Sequence, residues 1–241
     1  MIRKLITIII LLGLWQITSL SIGKEVILPL PFDVFMYMFT LLSKPSFYSS
    51  VASTLFRVFI SFMLAFVLGV SLGIFAGLNK KIEDYLAIIV SLLQTIPQIA
   101  YILILLVWFR GLTAIIVIIA LMTLPVFYNN ALNGIKNISQ ELNDIIILYH
   151  QPLSYTFFKV YIPLIKGYIL SAIDSCLPLS FKIGVMAEIF VQTTSGIGEQ
   201  LYLARTQIDM TAIFSWTIWM VIIISIIIAI FRFVRDKHYK I

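Results

Sequence analysis

The chain has 241 residues, of which 61% are hydrophobic and 12% charged, with a mean hydropathy of +1.06. A soluble domain carries about a quarter charged residues, so this composition specifies a polytopic membrane protein with no length left for an added soluble domain. The net charge of +6 is not a nucleic-acid footprint, because its basic residues are not interleaved with aromatics on a soluble face. A single cysteine, Cys176, lies in an apolar run and reads as a small buried thiol; it excludes an internal disulfide and a cysteine metal site. Two histidines, with no Walker A loop, no GxGxxG after a strand and no HExxH, leave catalysis little to work with.

In chain order, apolar runs place six transmembrane helices at about 5–20, 51–78, 85–109, 113–132, 164–190 and 212–231, an all-α polytopic membrane helical bundle. The first run, LITIIILLGLW after MIRK, fits a retained span or a cleaved secretory signal; the absence of an A-x-A site near Ser19 and Ser21 favours the span. The second span carries Ala65, Gly69, Gly73 and Gly77 at a spacing of four. Small residues so placed line one helix face and admit a neighbouring backbone, so they form a packing seam with no ligand role. Arg57, in the same span, is close enough to the outer interface to snorkel.

The third span places Ser91, Gln94, Gln98 and Tyr101 within a narrow arc, beside Pro97. Amides in hydrocarbon are costly unless they meet polar partners or water, so this arc faces inward, toward either a pathway or interhelical hydrogen bonds. The fifth span is the most polar. Ser171, Ser175, Pro178 and Lys182 share a stripe facing the Gln94 and Gln98 arc, Asp174 sits beside it, and Glu188 lies on another face near the outer end. Ionisable groups at such depth mark a pathway or a structural ion pair. Gln94, Gln98, Ser171, Asp174, Ser175 and Lys182 are therefore the candidate translocation path.

Between the fourth and fifth spans runs QELNDIIILYHQPLSYTFFKVYIPLIKG, a long polar interval in a chain that is otherwise membrane-like. With Arg3 and Lys4 in the cytoplasm, the same side collects Lys80, Lys81, Lys136, Lys159, Lys166, Arg232, Arg235, Lys237 and Lys240. The other side holds Lys24, Lys44, Arg110 and Arg205. The positive-inside rule then puts both termini and the long loop in the cytoplasm.

Within that loop, Asp144-Ile145-Ile146, three residues, His150, nine residues and Val160-x-Ile162-Pro163 resemble the EAA loop of ABC importer permeases, E-A-A-x3-G-x9-I-x-L-P. The spacing matches throughout. Asp144 stands for the glutamate, two isoleucines for two alanines, and His150 for the glycine, where it tolerates a left-handed backbone better than a β-branched residue but fills the space. ILPLPFDV at 27–34, STLFRVFISFMLAFVLGVSLGIFAG at 53–77, TIPQIA at 95–100, SFKIGVMAE at 180–188 and SGIGEQLYLAR at 195–205 follow in the order found in permeases of the nitrate, sulfonate and taurine type. The resemblance covers nearly the whole chain.

The resemblance implies a type I ABC importer permease, a single transmembrane domain over 1–241. Its parts would be an N-terminal helix and periplasmic segment at about 1–48, a five-helix core at about 49–235 and a coupling loop at about 134–163. It also implies partners: a cytoplasmic ATPase that binds ATP, an extracytoplasmic solute-binding protein, and a second permease protomer, expected as a homodimer in the bacterial inner membrane. The chain itself would be no enzyme and hold no cofactor, with Asp144, Ile145, Ile146, His150, Val160, Ile162 and Pro163 coupling the ATPase to the helices by alternating access. Two other classes stand beside this reading: an ion-coupled secondary transporter using Asp174, Lys182 and Glu188, and a membrane scaffold with no transport of its own.

Overall fold

The computed structural model describes residues 2–149 and 151–238, and every regular element among them is helical. In order these are α1 (Ile2–Ile22), α2 (Pro31–Leu42), α3 (Pro45–Leu78), α4 (Lys80–Thr95), α5 (Gln98–Trp108), α6 (Gly111–Lys136), α7 (Gln140–Leu148), α8 (Leu153–Thr156), α9 (Ile162–Leu164), α10 (Lys166–Val191), α11 (Ile197–Thr206) and α12 (Met210–His238). A single π-helical turn, Phe157–Tyr161, joins α8 to α9. The chain forms two compact units: one runs from Phe56 to Ala187, and the other takes the chain up to Leu55 and from Glu188 onward.

Among the described residues, four helices, α3, α6, α10 and α12, are each long and apolar enough to cross a membrane, and α1 carries a shorter apolar run, Ile6–Ile22. The third expected span is not one helix. It is the pair α4 and α5, bent by 105° across a short break. Pro97 has no N–H to donate and its ring disfavours helical geometry at the preceding residue. Ile96 is accordingly extended (φ −69°, ψ 129°), and its N–H makes the last bond of α4, to Leu92 O at 3.2 Å. A second departure is α2, in a stretch expected to be a connecting segment, where Pro31 starts the helix at a position that needs no donor.

The 56–187 unit is organised by the glycine seam, as expected. A Cβ on Gly69 would lie 2.6 Å from the Phe127 Cβ, one on Gly73 2.5 Å from the Tyr128 carbonyl, and one on Gly77 2.6 Å from the Ile135 Cβ. Without side chains there, α3 and α6 touch backbone to side chain, and the dispersion gained over many close atoms holds them together where hydrocarbon offers no hydrophobic drive. Phe62 and Phe66 meet Phe127 edge-on at 5.2 and 5.5 Å, and buried Cys176 places its Sγ 3.9 Å from the Thr123 carbonyl. Lys136 Nζ lies 2.6 Å from Glu83 Oε1, which gathers Lys80, Lys81 and Lys136 at one end of this unit.

In the other unit α2 packs on α12. Ser215 Oγ donates to the Val34 carbonyl at 3.0 Å, Trp219 Nε1 to the Met38 carbonyl at 3.3 Å, and Phe47 packs on Trp216 and Trp219 at 5.3 and 5.0 Å.

The seam leads to a direct test. Gly73→Leu should destabilise the protein by about 1–3 kcal/mol through overpacking, read as a drop of several degrees in the unfolding midpoint of detergent-solubilised protein. Gly167→Leu, where an added Cβ meets nothing within 4 Å, should leave the midpoint unchanged.

Candidate functional site

The loop between α6 and α10 is braced on one face and open on the other. Phe157 stacks on Phe75 of α3 at 5.7 Å and meets Phe158 edge-on at 5.0 Å, while Tyr161 and Ile165 are buried in the core of their unit. Ile146 and Ile162 pack against the same core from partly buried positions. The opposite face presents Leu148, Tyr149, Tyr155 and Phe158, with Leu148 74% and Phe158 64% exposed. Between the two arms lies a groove of about 310 Å³, lined by Ile145, Ile146, Tyr149, Tyr155 and Val160 among others. Of the sequence-predicted loop residues, Asp144 and Pro163 are exposed, Ile145, Ile146 and Val160 meet in the groove, and His150 lies outside the described residues. An apolar face of this kind on a segment outside the spans marks an interaction surface.

A second cavity, of about 270 Å³, opens where α4 breaks from α5. Gln94 and Gln98 line it from the two sides of the break, with Met122 and Pro125 of α6 and Leu179 and Ile183 of α10. The two carboxamides thus share a space because the chain turns between them, and not because they share the face of a straight helix. Tyr101 and Ser91, expected on the same arc, are not among its lining residues. Nor are Ser171, Asp174, Ser175 and Lys182: α10 turns Leu179 and Ile183 to the cavity, while Ser171, Ser175 and Lys182 are exposed and Asp174 is part-buried. Ser175 Oγ returns its proton to the Ser171 carbonyl at 3.1 Å. The structure therefore does not bring the polar stripe of α10 against the glutamines.

The feature that sequence reasoning missed is the setting of Glu188, which is 1% exposed. Thr54 Oγ1 lies 2.8 and 3.0 Å from the two carboxylate oxygens and donates to them, and the Gly198 N–H donates to Oε2 at 2.9 Å. Thr54 Oγ1 in turn accepts from the Ile197 N–H at 2.8 Å. The first turn of α11 thus delivers otherwise orphaned donors to a threonine and a carboxylate, and the positive end of the helix faces the negative charge. Gly196 has φ +123°, and a Cβ there would sit 2.6 Å from the carboxylate, so only glycine fits. The signal was present as the glycines of SGIG, but Thr54 is 134 residues distant from Glu188.

Long apolar helices, with a bent pair at a cavity that two glutamines line, and a braced loop outside them are the architecture of a multi-pass membrane protein. The chain belongs to the family described as binding-protein-dependent transport system inner membrane component, whose profile matches residues 69–239. It is similar to SsuC of Bacillus subtilis (strain 168), a permease protein provisionally named for aliphatic sulfonates, at 25% identity over 96% of this chain and 84% of that one. It is similar to the nitrate import permease protein NrtB of Leptolyngbya laminosa at 30% identity over 80% of this chain and 71% of NrtB. The formylaminopyrimidine transport permease protein ThiX of Halalkalibacterium halodurans is 24% identical over 86% of this chain and 82% of its own. The chain is accordingly an ABC importer permease, a transport component and not an ion-coupled secondary transporter.

Thr54→Val should strand the Ile197 N–H and remove a donor from Glu188, at a cost of about 1–3 kcal/mol. The expected result is a lower unfolding midpoint and faster hydrogen exchange in α11, with Thr54→Ser close to wild type.

Proposed function

We propose that the chain works as one of two identical permease protomers in the bacterial inner membrane, with two cytoplasmic ATPases and an extracytoplasmic solute-binding protein. ATP is bound by the ATPase, and the permease holds no cofactor of its own. The whole of 1–241 serves as one permease domain. Both termini lie in the cytoplasm, on the side where Lys80, Lys81, Lys136 and Lys159 collect.

The observation that carries this reading is the α7–α9 loop, apolar and braced on one face, apolar and open on the other. Asp144, Ile145, Ile146, His150, Val160, Ile162 and Pro163 form the coupling segment, and the exposed side chains between Leu148 and Phe158 enter a cleft on the ATPase. Closure of the ATPases draws two such loops together and turns the helices outward, where the binding protein releases its cargo; hydrolysis resets them.

Gln94 and Gln98 belong to the path through their shared cavity. Ser171, Asp174, Ser175 and Lys182 belong to it through the second protomer, because a helix face carrying an exposed lysine cannot rest against acyl chains at depth. The cargo is a small solute, as the names of the nitrate and formylaminopyrimidine relatives suggest. The cavity is lined by the two carboxamides and by apolar side chains such as Met122, Leu179 and Ile183; in this reading selection is made by the binding protein.

Phe158→Asp should abolish recovery of the ATPase with the permease in mild detergent and abolish uptake, while the permease alone keeps its unfolding midpoint. Recovery of the ATPase at one copy per protomer from this variant would refute the docking face.

A further inference from the structure

The helix α2 carries three distinct stripes. Val34, Met38 and Leu41 are buried against their own unit. Asp33, Tyr37 and Thr40, continuing to Lys44, form a polar line, with Lys44 Nζ 5.4 Å from the Tyr37 ring centre. Phe32, Phe35, Met36 and Phe39, at i, i+3, i+4 and i+7, form an apolar face that is open, Phe32 being 69% and Phe39 67% exposed.

The depth of that face is set by α12. The Ser215–Val34 and Trp219–Met38 bonds advance four residues along each helix in the same sense, so α2 runs beside the first turns of α12. Those turns fall within the apolar stretch 212–231, which lies between Asp209 and Arg232 and spans about 30 Å at 1.5 Å per residue, the thickness of a hydrocarbon core. The apolar window of α12 is itself only 11% buried, an open apolar surface of the kind a hydrocarbon core accommodates. With 12 residues, α2 extends about 18 Å and cannot cross.

Pro31 at the first turn carries no N–H, the Val34 N–H reaches the Leu30 carbonyl at 3.2 Å, and Tyr48 Oη donates to the Leu42 carbonyl at 3.0 Å. We propose that α2 is a half-membrane helix, sunk in the leaflet around the N-terminal part of α12, with Phe32, Phe35, Met36 and Phe39 against acyl chains. The placement follows from α12 and holds for either orientation of the chain in the membrane.

Nitroxide labels on cysteines at Phe32, Phe35 and Phe39, in a Cys176→Ala background, test this in the complete transporter in liposomes without binding protein. Collision with oxygen and with a water-soluble nickel chelate is compared with labels at Val221 of α12 and at Gln207 in the α11–α12 turn. The proposal requires oxygen-to-nickel ratios equal to that at Val221 and several-fold above that at Gln207. Ratios like that at Gln207 would put the face in water, and low collision with both reagents would put it under protein. Either result overturns the proposal.

Discussion

The backbone approach of α3 to α6 along Gly69, Gly73 and Gly77 is the contact on which the 56–187 unit depends. It fixes α6, and α6 supplies much else: Met122 and Pro125 to the glutamine cavity, Gly134 to the close contact with Ile165, and Lys136 to the ion pair with Glu83. Phe75, two residues from Gly73 and Gly77, carries the stacked Phe157 of the loop. A packed interior transmits displacement because it deforms little. Force applied to the proposed coupling face therefore reaches the cavity wall through the same two helices that the seam clamps.

Polar groups within the helices have two fates. The Glu188 carboxylate is held by Thr54 and the Gly198 N–H and closed off by Gly196, a geometry with no room for cargo. Gln94 and Gln98 flank a break and face a cavity. An amide in hydrocarbon is costly unless it meets water or a polar partner, and the cavity at the break gives both glutamines such a meeting place. Proline at 97 makes that arrangement possible, since it both ends α4 and turns the chain.

The legible parts of the fold were those encoded in local spacing. Glycines four apart declare a seam, and the loop spacing from Asp144 to Pro163 declares a family, because both patterns are complete within a short stretch. The α4–α5 break was hidden by hydropathy, which averages across Pro97 as though the helix continued. The helix α2 escaped because its 12 residues are too few for a span. Helical periodicity identified a polar stripe on α10 but not its neighbour: one step of about 100° separates Lys182 from the cavity-lining Ile183. Thr54 could not be tied to Glu188 by any local signal, since their pairing exists only after folding.

In the proposed cycle the loop and the glutamine cavity move together. A cysteine at Gln98 in a Cys176→Ala background reports on it directly, through its reaction rate with a small aqueous thiol reagent in the assembled transporter. Trapping the closed ATPases with a non-hydrolysable nucleotide should change that rate several-fold. An identical rate in both states, or protection in both, would contradict it.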